Sequence, residues 1–229
     1  MNRSSVCVTV TAKTTAELRA KRDNVTDADL VELRLDSVSD PSAAGALQGR
    51  RLPVIVTCRP SWEGGTFRGS EEERARLLVE AHELGADYID LEWRARFDEV
   101  LAKTAGRRVI LSTHDFQQTP SDLFETVRSM SATGAEILKV ATKANRLGDC
   151  LSLMQIGRAH AKHGRIVVIA LGEYGLPSRV LASRFGSAWT YAGELDSIGQ
   201  LSALALIDDY NFRSLGEHSD VYGIVGSPV

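Results

Sequence analysis

The sequence predicts a single α/β domain with the architecture of a (β/α)8 barrel, a TIM barrel, and three observations favour this fold class. Short, β-branched apolar runs alternate with longer amphipathic segments along the chain. The spacing between the starts of the runs leaves room for one strand, one helix and two loops each time. No linker interrupts the series before about residue 210, so the barrel is expected over residues 1–212. In order, the runs are VCVTVTA from Val6, LVELRLD from Leu30, PVIVTCR from Pro53, YIDLEW from Tyr88, RVILSTHD from Arg108, ILKVAT from Ile137, IVVIALG from Ile166 and AWTYAG from Ala188.

Capping residues and glycines place helices between the runs. Ser70 is followed by three glutamates, which favour a helix N-terminus, and that helix should end at Gly85. Ser121, directly after Pro120, is expected to begin another helix, which should end at Gly134. A doubly wound open sheet is the structural alternative, but no run is followed by GxGxxG or GxxxxGK[ST], the phosphate-binding motifs typical of that fold. The barrel is therefore favoured.

Composition excludes several classes of function. The 229 residues include 27 Lys and Arg against 30 Asp and Glu, so the net charge of −3 does not suit a protein that binds nucleic acid. The three cysteines, Cys7, Cys58 and Cys150, lie far apart and are expected to be reduced thiols. No apolar stretch approaches the ~18 residues of a membrane span. The N-terminal apolar run predicts a first strand rather than a signal peptide. A cytoplasmic protein without a membrane partner is expected.

Polar residues cluster where the predicted strands end. In a barrel of this kind the active site lies at the C-terminal ends of the strands, so these residues are the candidates for chemistry. They are Glu32, Arg34, Arg59, Glu63, His114, Asp115, Lys139, Arg179 and Gln200.

Lys139 is the first candidate for a catalytic group. It stands among apolar residues in a strand that helices should cover, so it must be paired with a carboxylate or have its pKa lowered. An amine whose pKa falls toward ~7–8 can attack a carbonyl and form a Schiff base. The alternative is a structural ion pair, for which Glu92 is the expected partner.

His114 ends the neighbouring strand and should face the same mouth of the barrel. A base of near-neutral pKa beside an imine-forming amine indicates proton abstraction next to a carbonyl, although a histidine of the core that bonds the backbone is the alternative. Arg34, Arg59 and Arg179 indicate an anionic or polyhydroxylated substrate, although each could form a surface ion pair instead.

Two other patterns carry less weight. His160 and His163 have the spacing of metal ligands, but no third ligand is in view, and cations are favoured at a helix C-terminus in any case. No metal is therefore predicted. The WEGGTFRG run lacks the residues of a phosphate-binding loop and reads as a loop that presents Glu63.

Seven motifs lie along the chain in a recognisable order and spacing. They are ELRLD at 32–36, VTCRPSWEGG at 56–65, LGADYIDLE at 84–92, STHDFQQTPS at 112–121, ILKVAT at 137–142, SRVLASRFGS at 178–187, and Gly199 with Gln200. In these motifs, and from Val6 to about Phe212, the chain resembles the type I 3-dehydroquinate dehydratases.

The resemblance implies a cofactor-free barrel of the shikimate pathway that converts 3-dehydroquinate into 3-dehydroshikimate. It implies that Lys139 forms an imine with the C3 ketone. It also implies that His114 removes a proton from C2 and then helps the C1 hydroxyl to leave as water in a syn elimination. Glu63 matches the glutamate that orients this histidine.

Further matches concern the binding of substrate. Glu32, Arg34 and Arg59 match residues that hold the ring hydroxyls and shape the pocket, and Arg179 and Gln200 match residues at the carboxylate end. The chain departs from the family in a shortened loop after the last strand, where Ser197 is the candidate for the lid serine. Thr9 replaces a serine common on the first strand and keeps the hydroxyl.

Residues 213–229 resemble the linker and first strand of the shikimate dehydrogenase domain that follows the dehydratase in fused enzymes; a disordered tail is the alternative. A natural stop directly after Val229 would contradict an excised domain. Exposed apolar helix faces are compatible with a homodimer. Two other functions stay open: a class I aldolase-like Schiff-base lyase, for which no phosphate site is evident, and a non-catalytic barrel that binds a metabolite.

Overall fold

The computed structural model describes residues 5–193, 199–216 and 220, and within them the predicted barrel is confirmed. Eight parallel strands form one sheet in the order β7-β6-β5-β4-β3-β2-β1-β8, with each neighbouring pair hydrogen-bonded. The strands are β1 (Ser5–Val10), β2 (Leu30–Arg34), β3 (Val54–Thr57), β4 (Tyr88–Glu92), β5 (Val109–Asp115), β6 (Ile137–Lys143), β7 (Arg165–Leu171) and β8 (Trp189–Ala192).

The barrel closes between β7 and β8 through a short seam. Ile166 and Ser187 form an isolated parallel bridge there. The Ala188 amide donates to the Ile166 carbonyl at 2.8 Å, and the Val168 amide donates to the Ser187 hydroxyl at 2.9 Å. A side-chain oxygen thus replaces part of the backbone ladder where the last strand meets the seventh.

Seven α-helices lie between the strands in the described part of the chain. The residues after β8 form a π-helix, Ala205–Asp209, in place of a regular eighth helix. The seven are α1 (Thr15–Asp23), α2 (Ala43–Leu47), α3 (Glu71–Glu83), α4 (Asp98–Thr104), α5 (Leu123–Ser131), α6 (Leu147–His160) and α7 (Leu176–Val180).

The predicted start of α3 is confirmed and that of α5 is wrong. Ser70 accepts a hydrogen bond from the Glu73 amide while the Glu73 carboxylate accepts one from the Ser70 amide, which completes a capping box. The helix α5 begins at Leu123 instead, and its capping residue, Asp122, makes no side-chain capping bond. Ser121 lies in the turn that precedes the helix, one residue before the capping position, and so does not cap it.

Alternation along the strands separates the two faces of the barrel wall. Residues such as Val31, Val54, Leu138 and Val168 face outward into the core beneath the helices. Apolar residues that face inward fill the lower interior, among them Leu30, Ile55, Ile110, Ile137 and Val167. Inward positions further along β2, β4, β5 and β6 carry polar or charged side chains, so the polar site lies directly above this apolar floor. No helix in the described part of the chain is long and apolar enough to span a bilayer.

Candidate active site

Lys139 lies inside the barrel and is held by two carboxylates. Its Nζ is 2.9 Å from Glu32 Oε1 on β2 and 3.0 Å from Asp90 Oδ2 on β4. The ammonium also lies 4.4 Å from the centroid of the Tyr191 ring on β8. Burial by itself would lower the pKa of Lys139, but the charges of Asp90 and Glu32 outweigh it and raise the pKa.

Of the two alternatives for Lys139, the structure shows pairing with carboxylates, and the expected partner is corrected. Its pKa is not lowered, because both carboxylates touch the ammonium. Its partner is not Glu92, which instead accepts from the Arg59 guanidinium at 2.8 Å and pairs with Arg74. Arg59 lies between the two acids of β4, since its other terminal nitrogen is 3.0 Å from Asp90 Oδ2.

His114 lies on the strand next to Lys139, one inward position nearer the mouth. Ser112 is opposite Lys139 in the register between β5 and β6, and His114 follows two residues later on the same face. His114 Nδ1 is 2.9 Å from Glu63 Oε1. Burial lowers the pKa of His114 well below its ordinary value, with Arg59 and Lys139 adding to the effect, so the imidazole is neutral. A neutral imidazole can accept a proton.

Glu63 reaches His114 from a short 3-10 helix, Ser61–Glu63, after β3. Gly64 ends that turn with φ 78°, and a Cβ there would lie 2.4 Å from the Phe116 ring. Glu63 is only 2% exposed, and burial raises its pKa to about 8, with Arg59 favouring ionisation and Glu92 and Asp90 opposing it. Glu63 and His114 therefore form a buried pair in which a proton can be shared.

The remaining candidates of the first strands lie around the lysine. Glu32 accepts hydrogen bonds from Thr57 at 3.0 Å and Thr9 at 3.2 Å, which fixes its carboxylate toward Lys139. Arg34 forms a bidentate pair with Asp36, with both distances 2.8 Å. Thr9, Glu32 and Lys139 are thus in one bonded cluster, and Arg34 stands at its upper edge.

Two further candidates, Arg179 and Gln200, follow the last two strands. Arg179, at the end of α7, is buried and donates to the Tyr191 carbonyl at 3.3 Å. Burial lowers the pKa of Arg179 to about 10. Gln200 is 9% exposed and packs against Gly193, where an added Cβ would lie 2.3 Å from its Oε1. Ser197 lies outside the described residues.

Sequence reasoning missed Asp90, Ser112 and Tyr191 as neighbours of the reactive groups. The Ser112 hydroxyl donates to Asp90 Oδ1 at 2.6 Å and accepts from Arg59 at 2.8 Å. A signal for Asp90 was available, because an acid in the middle of a buried strand needs a cation. Asp90 and Glu92 also stand two apart and so share the inner face.

Comparisons with known proteins agree with this fold. A sequence model of the type I 3-dehydroquinase family matches residues 6–217. The bifunctional 3-dehydroquinate dehydratase/shikimate dehydrogenase of Arabidopsis thaliana chloroplasts is 38% identical over an alignment that covers 100% of this chain but 40% of that protein. The 3-dehydroquinate dehydratase of Desulfotalea psychrophila is 33% identical, with 88% and 95% of the two chains covered. The structure of 3-dehydroquinate dehydratase from Aquifex aeolicus superposes with a TM-score of 0.75 at 30% identity, covering 95% and 100%.

The barrel fold and the family match together define a hydro-lyase of the (β/α)8-barrel class. Within that class the chain belongs to the type I 3-dehydroquinase family, as the sequence resemblance predicted. The family match extends to residue 217, five residues beyond the expected end of the barrel.

Proposed function

We propose that the chain dehydrates 3-dehydroquinate to 3-dehydroshikimate, in the shikimate pathway, through a Schiff base on Lys139. The observation that carries the proposal is the placement of a buried, carboxylate-bound lysine one layer below a neutral histidine on the adjacent strand. An imine carbon formed at the lysine would have the histidine within reach of the neighbouring carbon. No other pair of described residues combines an interior amine with a base in this way.

The reaction balances with groups of the chain alone. Lys139 passes one proton to a carboxylate that touches it, Glu32 or Asp90, and the free amine attacks the C3 ketone. The carbonyl oxygen then leaves as water with that proton and one more from the nitrogen, which leaves a protonated imine. His114 then takes a proton from C2, and the electron pair is held by the imine as an enamine. His114 returns that proton to the C1 hydroxyl, which leaves as water on the same face. Addition of water to the product imine releases 3-dehydroshikimate and restores Lys139.

The surrounding residues have supporting parts in this proposal. Glu32 and Asp90 orient the amine, and Glu63 fixes the tautomer of His114. Arg34, Arg59 and Thr9 border the ring and its hydroxyls, whereas Arg179, Gln200 and Ser197 act at the carboxylate end. Arg59 is the buried cation common to Asp90 and Glu92, so it also holds the pocket in shape.

Borohydride trapping tests the proposal directly. Reduction in the presence of 3-dehydroquinate should leave a stable secondary amine on Lys139, located by peptide mass mapping. The Lys139→Met variant should give no adduct. The His114→Gln variant should still be trapped but should turn over at least roughly 100-fold more slowly, because only proton transfer is removed.

The same experiment separates the other two functions. A folded wild-type protein that binds 3-dehydroquinate without adduct or turnover would be a binding barrel. An adduct with phosphorylated keto sugars and none with 3-dehydroquinate would indicate the aldolase-like lyase. Either result would contradict the proposal.

We further propose that residues 213–229 correspond to the junction with a shikimate dehydrogenase domain. The match to the Arabidopsis thaliana protein covers 100% of this chain, and that protein has both activities in its name. Phe212 is buried against the barrel, whereas 217–219 and 221–229 lie outside the described residues. The cytoplasmic location and the homodimer stay predictions.

A further inference from the structure

Arg74 lies on α3, outside the barrel wall, yet it is completely buried beside the C-terminal ends of β3 and β4. Its guanidinium pairs with Glu92 Oε2 and donates to the Cys58 carbonyl at 3.2 Å. Its Nε donates to Glu71 Oε2 at 3.1 Å, and its Cζ lies 4.7 Å from the centroid of the Phe97 ring. The planar fork of an arginine holds several acceptors in a fixed geometry, which a lysine ammonium does not.

Two of these contacts act on Arg59. The Cys58 carbonyl belongs to the peptide group directly before Arg59, so Arg74 fixes the backbone there. The other oxygen of Glu92, Oε1, accepts from Arg59 Nη1 at 2.8 Å. Both the backbone and the side chain of Arg59 are therefore held by groups that Arg74 bonds.

The contacts continue to the reactive lysine as a row of alternating charge. Arg59 Nη2 is 3.0 Å from Asp90 Oδ2, the same oxygen that lies 3.0 Å from Lys139 Nζ. Lys139 also contacts Glu32, at 2.9 Å. The members of this charge row, each at most 4% exposed, are in order Arg74, Glu92, Arg59, Asp90, Lys139 and Glu32. Three cations thus balance three carboxylates in a dry interior.

We propose that Arg74 is a positioning residue that allows Lys139 to become a free amine. It neutralises Glu92 from outside the wall and thereby keeps Arg59 on Asp90. The inference rests on the proposed function, in which Lys139 must give up a proton before it attacks the ketone. Without Arg74 the rest of the charge row has one negative charge in excess, which favours the ammonium form of Lys139.

The other titratable or charged groups around Lys139 come from separate strands and stay the same in the variants that test the proposal. Burial raises the pKa of Cys7 on β1 and of Tyr191 on β8, so both are neutral. Burial lowers the pKa of His114 on β5, so it is neutral as well. Arg34 at the end of β2 keeps its charge. A change at Lys139 can therefore be attributed to the charge row.

Reductive methylation measures the free amine without substrate. Formaldehyde forms an imine with an unprotonated lysine, cyanoborohydride reduces it to the methylamine, and peptide mass mapping gives the rate at each lysine. Lys143, exposed at the end of the same strand, is the reference within every sample, so the result is the ratio of the Lys139 rate to the Lys143 rate. The measurement is made at pH 9 because burial raises the pKa of Glu92, whose carboxylate must be ionised in each variant that keeps it.

The variants should change this ratio in opposite directions. Arg74→Met should lower it at least roughly threefold, which corresponds to about half a pKa unit at Lys139. Glu92→Gln should raise it by a similar factor, because the charge row then has one positive charge in excess. The double variant loses one charge of each sign and should return to within about twofold of the wild type. Arg74→Lys keeps the charge without the fork and should lie between Arg74→Met and the wild type.

Arg22 provides the matched control for the loss of a buried arginine. It is 4% exposed on α1, pairs with Asp23 at 2.7 Å and donates to the Gln48 carbonyl at 2.8 Å. Arg22→Met should destabilise the fold and leave the labelling ratio unchanged. The direction of the change separates the inference from a purely structural role, because a loosened barrel would expose Lys139 and speed its labelling.

A ratio in Arg74→Met that equals or exceeds the wild-type ratio would overturn the inference. If Arg74→Met does not fold, Glu92→Gln and the double variant decide: the inference fails unless Glu92→Gln raises the ratio and the added Arg74→Met lowers it again.

Trapping with 3-dehydroquinate and borohydride extends the test to the reaction. In a His114→Gln background, the adduct should form more slowly with Arg74→Met, by the factor found with formaldehyde. A wild-type protein that gives no adduct would instead contradict the proposed function, while the formaldehyde labelling would still decide the role of Arg74.

Discussion

Lys139 has two acidic partners that are remote in sequence. Glu32 is 107 residues before it and Asp90 is 49 residues before it. A buried lysine is predictable from the strand pattern, and so is its need for a carboxylate. The expectation of Glu92 as that partner was wrong, because the level of a side chain inside the barrel depends on strand tilt. The register aligns Glu92 with Ser112 and Ser112 with Lys139. Because the strands are tilted, however, residues aligned in register do not lie at the same level along the barrel axis. Asp90, rather than Glu92, therefore lies at the level of the ammonium.

Removal of the Lys139 charge should destabilise the fold as well as abolish the reaction. In Lys139→Met, Glu32 and Asp90 stay buried without their shared cation, which costs about 3 kcal/mol or more of the free energy of unfolding at pH 7. The loss should be smaller at pH 5, because with the cation gone a carboxylate can bind a proton and become neutral. Urea unfolding at the two pH values measures this difference.

Lys143 provides the matched control for that substitution. It ends the same strand and is exposed, so Lys143→Met should change the unfolding free energy by less than about 0.5 kcal/mol. A loss in Lys139→Met that is the same at both pH values, or no larger than that of Lys143→Met, would contradict the role assigned to the two ion pairs.

At the scale of the element, α3 and α5 differ in how they begin. Both starts were predicted from a serine, but only Ser70 has a glutamate three residues later that returns a hydrogen bond. Ser121 lacks such a partner, and the chain makes a further turn before α5 begins at Leu123. A capping residue is thus predictable from a reciprocal pair and poorly predictable from a serine alone.

Replacing the two serines should therefore have unequal effects. Ser70→Ala should lower the free energy of unfolding by about 1 kcal/mol, since an amide of the first turn of α3 loses its acceptor. Ser121→Ala should change it by less than about 0.5 kcal/mol. Thermal or urea unfolding of the two variants beside the wild type measures both values, and equal losses would disagree with the capping geometry.

At the scale of the whole molecule, the eight strands and their order were predictable because periodicity and chain spacing are local properties. For the catalytic candidates, the residue types and their level along the barrel axis were predictable, because the C-terminal ends of parallel strands meet at one mouth of the barrel. The network of buried ion pairs around these candidates was not predictable from the sequence. Arg74 is fully buried and joins α3 to Glu92 inside the barrel, a contact that depends on how a helix packs over the wall.

The seam between β7 and β8 predicts where the barrel opens locally. Lys139 and His114 belong to strands joined by continuous ladders, whereas Arg179 follows β7 and Gln200 follows β8, on the two sides of the seam. Amide hydrogens near Val168 and Ala188 should exchange with deuterium faster than those of β5 and β6, and Ser187→Ala should widen the gap without affecting Lys139. The side of the pocket with Arg179 and Gln200, which is proposed to bind the carboxylate, would then open and close. The side with Lys139 would stay rigid.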